Sequence, residues 1–285
     1  MGLDLVPISA SAIAAAALVQ KVRSRKAGKS GATVSKPLTK EEREKIHRKE
    51  YQKYAKEELS RCWMYQGDRK KQVDEYFTML ADPNWRLDAI RTPIFGGPDL
   101  EVWRLPGEKI HRIMGVTNVD ATPDICMEYF KDTEKVFSKL FPKIDQMFKE
   151  GSVLKHISKS KVLCHAEFRM PSPVGNGSAA GLRNRDFVWE QTTDKLSTGN
   201  ALVIAKSTDN HNFPAKKGVV RGEVKVSGYY GRKLEGKNSS RVWYIVQADP
   251  KGFLPKWLVN LAAGKQADNV SRLGALFQGN QLPKL

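Results

Sequence analysis

The sequence predicts an α+β fold with one antiparallel sheet of about nine strands, and two observations indicate it. Runs of β-branched and aromatic residues predict strands through most of residues 85–248. Helical spacing of apolar residues appears only at the start, in the middle and at the end of the chain. Because one helical face cannot fill a curved sheet of this size, we expect the fold to enclose a cavity. The 285 residues, of which 40% are hydrophobic, suffice for one sizeable core.

Residues 1–38 are predicted to lie outside the folded domain, which comprises residues 39–285. The uncharged stretch 5–19 is interrupted by Pro7, and its 15 residues fall short of the roughly 20 that span a bilayer. Three interpretations stay open: a membrane anchor or peripheral attachment through residues 1–26, an organellar leader, and a frayed helix.

A basic arm follows this stretch. Residues 21–56 contain 13 Lys and Arg against 4 Glu, in a chain of net charge +17. Clustered cations suit the anionic surface of a membrane, although a solvated charge run explains them equally well. Nucleic acid is the weaker candidate, because the chain has no RNP-type aromatic motif, zinc-finger spacing or recognition-helix signature.

The cysteines and histidines indicate neither a disulfide framework nor a metal site. Cys62, Cys126 and Cys164 are odd in number and too far apart for a CxxC pair, which favours a reducing, cytoplasmic compartment. The five histidines lack metal-ligand spacing. We expect a monomer without metal or cofactor.

The first half of the chain is predicted to hold two helices, three strands and a further helical region. Thr39 and Glu42 form a capping box at the start of a helix that extends to about residue 63. Pro123 opens the later helical region, which is broken near Pro142. The other predicted spans are a helix at 70–80, strands at 85–92, 100–105 and 110–119, and helical structure from 122 to about 149.

The second half is predicted to hold six strands and a terminal helix. A Gly-rich loop at residues 171–183 is too polar for the core. The turn at residues 249–252 ends the last strand, and apolar residues at spacings of three and four predict a helix from Leu254 to Phe277. The strands are predicted at residues 152–157, 161–170, 186–193, 201–207, 219–230 and 241–248.

Four ordered motifs and the terminal segment resemble the START family of lipid-transfer domains over about residues 85–285. The resemblance implies the helix-grip fold, in which a long C-terminal helix closes a curved antiparallel sheet around a lipid cavity. It also implies a non-catalytic carrier that moves one hydrophobic lipid, a phospholipid, sterol or sphingolipid, between membranes. The segments are CHAEFRMPSP at 164–173, NRDFVWEQ at 184–191, AKSTDNHNFP at 205–214, GVVRGEV at 218–224 and RVWYIVQADPKGFLPKWLVN at 241–260.

Strand alternation and the resemblance together predict which residues meet the lipid. Alternation puts Phe187, Trp189 and Gln191 on one face of their strand together with Arg185. In sterol carriers of the family, an Arg at the position of Gln191 pairs with a buried carboxylate, which we identify with Glu167. The replacement argues against carrying sterol specificity over to this chain.

Further lipid contacts are expected from strand aromatics and from the terminal helix. The aromatic residues either form a cage for a choline headgroup or belong to the plain core. Gly252 is the predicted hinge of a gate, since glycine alone absorbs unusual backbone angles, and Phe253 and Leu254 complete this gate. The other expected lipid contacts are Trp103, Trp243, Tyr244, Trp257, Leu258, Leu261 and Val270.

Two alternatives to the carrier are retained. An enzyme of the same helix-grip architecture, similar to cyclases acting on apolar substrates, would use His165 and Glu167 as its acid/base pair, since both lie on one face of a predicted strand. A lipid-gated tether would anchor through the N-terminal segment and report occupancy of the cavity to a partner.

Overall fold

A ten-stranded sheet organises the chain in the computed structural model, which describes residues 39–92, 99–107, 110–170, 182–208 and 212–278. The predicted N-terminal segment and basic linker at 1–38, and most of the predicted loop at 171–183, lie outside the described residues. Helices precede, interrupt and follow the strands, which confirms the predicted α+β class.

The strands match the predicted ones in number and order, with one exception. The single strand predicted at 219–230 is divided at Gly222, where a Cβ atom would lie 2.3 Å from the ring of Phe187. Only glycine at this position therefore leaves room for the Phe187 ring. The strands are β1 (Arg86–Arg91), β2 (Leu100–Leu105), β3 (Arg112–Val119), β4 (Phe148–Ser158), β5 (Lys161–Phe168), β6 (Arg185–Lys195), β7 (Ala201–Ser207), β8 (Val220–Arg221), β9 (Glu223–Lys233) and β10 (Ser240–Asp249).

The sheet is antiparallel except where β8 runs parallel to β6. Its strand order is β1-β2-β3-β10-β9-β7-β6-β5-β4, so β4 and β1 form the edges. The last strand, β10, lies in the middle between β3 and β9. The turn that follows β10 therefore leads the chain from the centre of the sheet into the terminal helix.

Six α-helices occur in the described residues, and none has a stretch long and apolar enough to cross a bilayer. The middle helical region ends at Ile144 rather than near residue 149, because the Asp145 carboxylate accepts a hydrogen bond from the Met147 amide (2.8 Å) and turns the chain into β4. The helices are α1 (Lys40–Leu59), α2 (Gly67–Leu80), α3 (Pro123–Lys131), α4 (Thr133–Lys135), α5 (Phe141–Ile144) and α6 (Lys256–Gln278), with a π-helical turn at Val136–Leu140.

The first two helices cover one face of the sheet, here called the outer face, with a solid aromatic core. Tyr51 of α1 packs edge-on against Trp103 and Trp243, at centroid distances of 5.6 and 5.7 Å. The buried Glu58 carboxylate accepts hydrogen bonds from Asn200 Nδ2 (2.7 Å) and the Tyr230 hydroxyl (2.9 Å). These contacts hold α1 to the strands by both packing and buried polar bonds.

The terminal helix α6 covers part of the opposite face, called the inner face. It approaches β3 most closely at Gly115, where a Cβ atom would lie 2.6 Å from the Ala267 carbonyl oxygen and 2.9 Å from Val270 Cγ1. Ala267 and Val270 are fully buried there together with Leu273. The face of α6 that contains Ala267, Val270 and Leu273, here called its packing stripe, thus packs against β3.

Gly115→Ala should destabilise the fold by about 1–3 kcal/mol, because the added methyl group must push the α6 backbone away from β3. Gly231→Ala is the matched control on β9, since its Cβ would meet its nearest neighbour, Ala201 Cβ, at an ordinary 3.7 Å. Urea unfolding of both variants measures the difference. Equal losses would show that the helix does not depend on the close approach.

Candidate functional site

A cavity lies between the inner face of the sheet and α6. Its walls come mainly from β6, β7, β9, β10 and α6, with single residues from β5, α3 and α5 and from the segments that flank β3 to β5. The described residues of β1, β2 and β3 contribute none of them. The centre of a water molecule can occupy about 160 Å³ of this space. By the same measure a single water needs about 10–15 Å³, so the space is far larger than a packing defect.

The cavity walls are mostly apolar and rich in aromatic rings. Tyr229 and Tyr244 stack with centroids 4.3 Å apart, and Phe130 lies 5.0 Å from Tyr229. Trp189 also lines the cavity, and its buried Nε1 is without a hydrogen-bond partner among the described residues. An unpaired buried donor costs about 1–3 kcal/mol, so a ligand oxygen beside Trp189 would be stabilising.

A polar network interrupts the apolar wall where α5, α6 and β10 meet. Asp145 Oδ2 accepts hydrogen bonds from Gln266 Nε2 (3.1 Å) and Asn269 Nδ2 (3.0 Å). The Tyr244 hydroxyl donates to Gln266 Oε1 (3.0 Å). Burial raises the pKa of Asp145, against the hydrogen bonds that lower it. The network joins α6 to the end of α5 and offers ligand hydroxyl or ammonium groups an acceptor.

A buried cation lies at one end of the cavity. Arg185 donates to the carbonyl oxygens of Arg183, Pro250 (3.1 Å) and Lys251 (3.4 Å). No carboxylate of the described residues pairs with it, and burial together with the charge of Arg183 lowers the pKa of the Arg185 guanidinium. Arg169 lines the same end and is exposed, so the cavity opens to solvent there. We call this end, defined by Arg169, Arg185 and Pro250, the cavity mouth.

Four of the predicted lipid contacts lie at the cavity wall: Phe187, Trp189, Gln191 and Tyr244. The first three share their face of β6 with Arg185, as strand alternation predicts. Gln191 Nε2 donates to the Thr133 hydroxyl (3.3 Å). The part that these residues play in lipid binding stays a prediction.

The prediction that Trp103 and Trp243 line the cavity is wrong. Both are fully buried in the outer-face core under α1, and Trp103 Nε1 donates to Glu101 Oε2 (3.1 Å). Trp243 and Tyr244 are neighbours on one strand and therefore point to opposite faces. Trp243 and Tyr244 therefore cannot both contribute to one choline cage.

The interpretation of Glu167 as the cavity carboxylate is also wrong. Glu167 lies on the face of β5 that points away from the cavity, where its carboxylate accepts hydrogen bonds from Lys149 Nζ (2.7 Å) and Asn184 Nδ2 (2.6 Å). His165 lies on that same face and contacts Asp186 (3.1 Å). The proposed acid/base pair of His165 and Glu167 therefore does not line the cavity.

The terminal helix faces the cavity with a different stripe from the predicted one. Leu258 and Val270 are buried in packing, and neither they nor Leu261 and Trp257 line the cavity. The apolar pattern identified the stripe that packs on β3, whereas the neighbouring stripe contains the polar Gln266 and Asn269. The α6 residues at the cavity wall are Val259, Ala262, Ala263, Gln266 and Asn269.

The turn before α6 has the unusual backbone that the predicted gate requires, but Gly252 is not alone in this. Lys251 has φ 51° and Gly252 has φ 71°. Phe253 is completely exposed, and Leu254 is half-buried. Gating itself stays a prediction. Two cavity-wall residues that our prediction missed are Arg185 and Asp145, although alternation along β6 already put Arg185 on the same face as Phe187 and Trp189.

Comparisons with known proteins agree with this architecture. A family model described as START domain matches residues 113–275. Phosphatidylcholine transfer protein of Bos taurus is 26% identical over 181 residues, which cover 60% of this chain and 75% of the relative. START domain-containing protein 10 of Homo sapiens is 33% identical over 94 residues, which cover 33% of this chain and 28% of the relative.

Two solved human structures share the fold. STARD10 aligns with a TM-score of 0.56 and 20% identity, covering 78% of this chain and 91% of that one. StAR-related lipid transfer protein 5 aligns with a TM-score of 0.58 and 18% identity, covering 74% and 95%. At such identities the likeness concerns the fold alone.

The pH dependence of stability tests the environment of Asp145. Because burial raises its folded-state pKa, the stability that the protonated group contributes is complete below the unfolded pKa of about 3.9 and is lost as pH rises through the folded value. Relative to Asp145→Asn, the wild type should therefore lose free energy of unfolding between pH 4 and the folded pKa. Urea unfolding of both proteins from pH 4 to 8 measures this. A difference that grows in favour of the wild type would contradict it.

Proposed function

Because the chain belongs to the START domain family, we propose that it holds one phospholipid molecule in its cavity and transfers it between membranes without chemical change. The apolar walls support a lipid, since they shield its chains from water at about 25 cal/mol per Å². The bovine relative is named as a phosphatidylcholine transfer protein, which supports the same class of ligand.

The observation that carries the choice of a phospholipid is the buried guanidinium of Arg185. A buried charge is costly unless a group of opposite charge pairs with it, and no described carboxylate does so. A phosphodiester supplies the missing anion and fits a guanidinium with two parallel hydrogen bonds. A sterol, a ceramide or a diacylglycerol would leave the charge unpaired.

Transfer requires the walls to move. The open space is small beside a two-chain lipid, and α6 closes one side of it. The turn at Lys251 and Gly252 is the proposed hinge, because it joins the central strand β10 to α6 through two residues with positive φ. Asp145, Gln266 and Asn269 would break and re-form their hydrogen bonds as α6 moves.

We favour a carrier without catalytic activity over the enzyme hypothesis. The acid/base pair predicted for the enzyme lies outside the cavity, and the described residues contain no cluster of His, Cys, Asp and Glu that could hold a metal ion. The tether alternative depends on the N-terminal segment, which lies outside the described residues.

Arg185→Gln should weaken phospholipid binding about tenfold or more, because one to two charge-assisted hydrogen bonds are lost. Diacylglycerol, which has no phosphate, should bind both proteins equally. The control is Arg104→Gln, which removes a half-buried arginine of β2 that pairs with Asp88 on β1 and lies outside the cavity wall. Binding of fluorescent analogues of both lipids is measured.

Equal losses for phospholipid and diacylglycerol would mean that Arg185 acts only by holding the turn. If the wild type binds no phospholipid and releases none on extraction for mass spectrometry, the carrier proposal fails.

The basic arm should contribute affinity for anionic vesicles that falls with salt. Six of its 13 Lys and Arg, and none of its 4 Glu, lie before residue 39. These six cations attract anionic lipid, and exposed charges are screened beyond about 8 Å at physiological ionic strength. Deleting residues 1–38 should lower vesicle binding in a sedimentation assay at low salt and change it little at high salt. Unchanged binding at both salt concentrations would show that residues 1–38 do not recruit the protein to the membrane.

A further inference from the structure

Phe187 is the residue of the β6 wall that lies next to the cavity mouth. Alternate residues of a strand stand about 6.6 Å apart on one face, so the Phe187 side chain follows that of Arg185 along the inner face. Trp189 and Gln191 come next, further from the mouth, and all four residues line the cavity. A lipid whose phosphate pairs with Arg185 must therefore pass its acyl chains over the Phe187 ring.

The tip of the Phe187 ring occupies the place that a side chain at Gly222 would take. Gly222 follows β8, which runs beside β6, and its amide donates to the Asp186 carbonyl oxygen (2.8 Å). A Cβ atom at Gly222 would lie 2.3 Å from Cε1 and 2.6 Å from Cζ of Phe187. Because these are the outer carbon atoms of the ring, the ring rests directly on the glycine backbone.

The opposite side of the Phe187 ring is already filled. Ala166 is the register partner of Phe187 on β5 and is fully buried. The Phe168 ring packs edge-on against Phe187 with centroids 5.7 Å apart, and Phe168 packs in turn against Phe148 at 5.9 Å. A ring that is displaced from Gly222 can therefore move only towards open space, and that space is the cavity.

The backbone conformation at Gly222 does not itself require glycine. Gly222 has no positive φ, so alanine is excluded there by its contacts alone. Besides the ring, the Asp249 carbonyl oxygen would lie 3.0 Å from the added Cβ atom. Of the two neighbours the ring is the nearer, and a side chain moves more readily than a strand backbone. A side chain at position 222 would thus act mainly on Phe187.

We propose that Gly222 determines the size of the lipid that the cavity admits, because it holds the Phe187 ring back and keeps the passage behind Arg185 open to two acyl chains. The inference rests on the proposed carrier function and assigns size selection to a residue outside the cavity wall. Gly222 is a positioning residue, since it acts through Phe187. With a side chain at position 222, the ring stands in the passage and a lipid with one chain is favoured.

The test compares two lipids that share the phosphocholine headgroup and the number of acyl carbons. Dihexanoyl-phosphatidylcholine has two short chains, and lauroyl-lysophosphatidylcholine has one long chain. Isothermal titration calorimetry with the full chain, below the micelle concentration of each lipid, gives the affinity for the two-chain lipid relative to the one-chain lipid. The matched control is Gly231→Ala, whose Cβ would meet Ala201 Cβ at an ordinary 3.7 Å.

Gly222→Ala should lower this relative affinity about tenfold, because the displaced ring takes the space of the second chain. Gly231→Ala should leave it unchanged. In a Phe187→Leu background, Gly222→Ala should no longer change the relative affinity, since leucine lacks the Cε1 and Cζ atoms that approach position 222. An effect transmitted through Asp249 would persist in that background.

Three results would overturn the inference while the carrier proposal stands: equal losses for both lipids, no loss for either, or a loss that persists in the Phe187→Leu background. If urea unfolding shows that Gly222→Ala does not fold, Phe187→Leu alone decides. Removing the ring should raise the relative affinity for the two-chain lipid, and the absence of a rise overturns the inference. A wild type that binds neither lipid overturns the carrier proposal and this inference together.

Discussion

The close approach of α6 to β3 at Gly115 is the contact on which the rest of the inner face depends. It draws the helix towards one half of the sheet, and Ala267 and Val270 complete the packing there. The strands beyond β10 are then too far from the packing stripe of α6 to be filled by it. Their side chains become cavity walls, which explains why β6, β7 and β9 line the cavity and β1 to β3 do not.

Most of the fold followed from the sequence, because strand alternation and turn residues are local. The alternation of β6 also put Arg185, Phe187, Trp189 and Gln191 on the correct common face. Alternation fixes which residues share a face, but not which face a distant helix will cover. Trp103 was assigned to the wrong side for this reason, since the position of α1 depends on buried contacts such as Glu58 with Asn200.

The cavity contacts of α6 escaped prediction for a related physical reason. Hydrophobic periodicity identifies the most apolar face of a helix, and on α6 that face packs against β3. A cavity wall needs smaller and more polar residues, such as Ala263 and Gln266, which no apolar pattern singles out. Arg185 has two roles, because it lines the cavity and also donates hydrogen bonds to the turn before α6.

The unequal filling of the two faces has a consequence for how the protein can evolve. On the outer face, Tyr51, Trp103 and Trp243 interlock, so a change in any one leaves a void that its neighbours cannot close. On the inner face, the wall residues of β6 and β9 border open space on their cavity side, so a smaller side chain there enlarges the existing cavity and opens no new void in a solid core. Substitutions in the cavity wall can therefore change ligand affinity without disrupting the core that stabilises the fold, because the cavity and the solid core lie on opposite faces of one sheet.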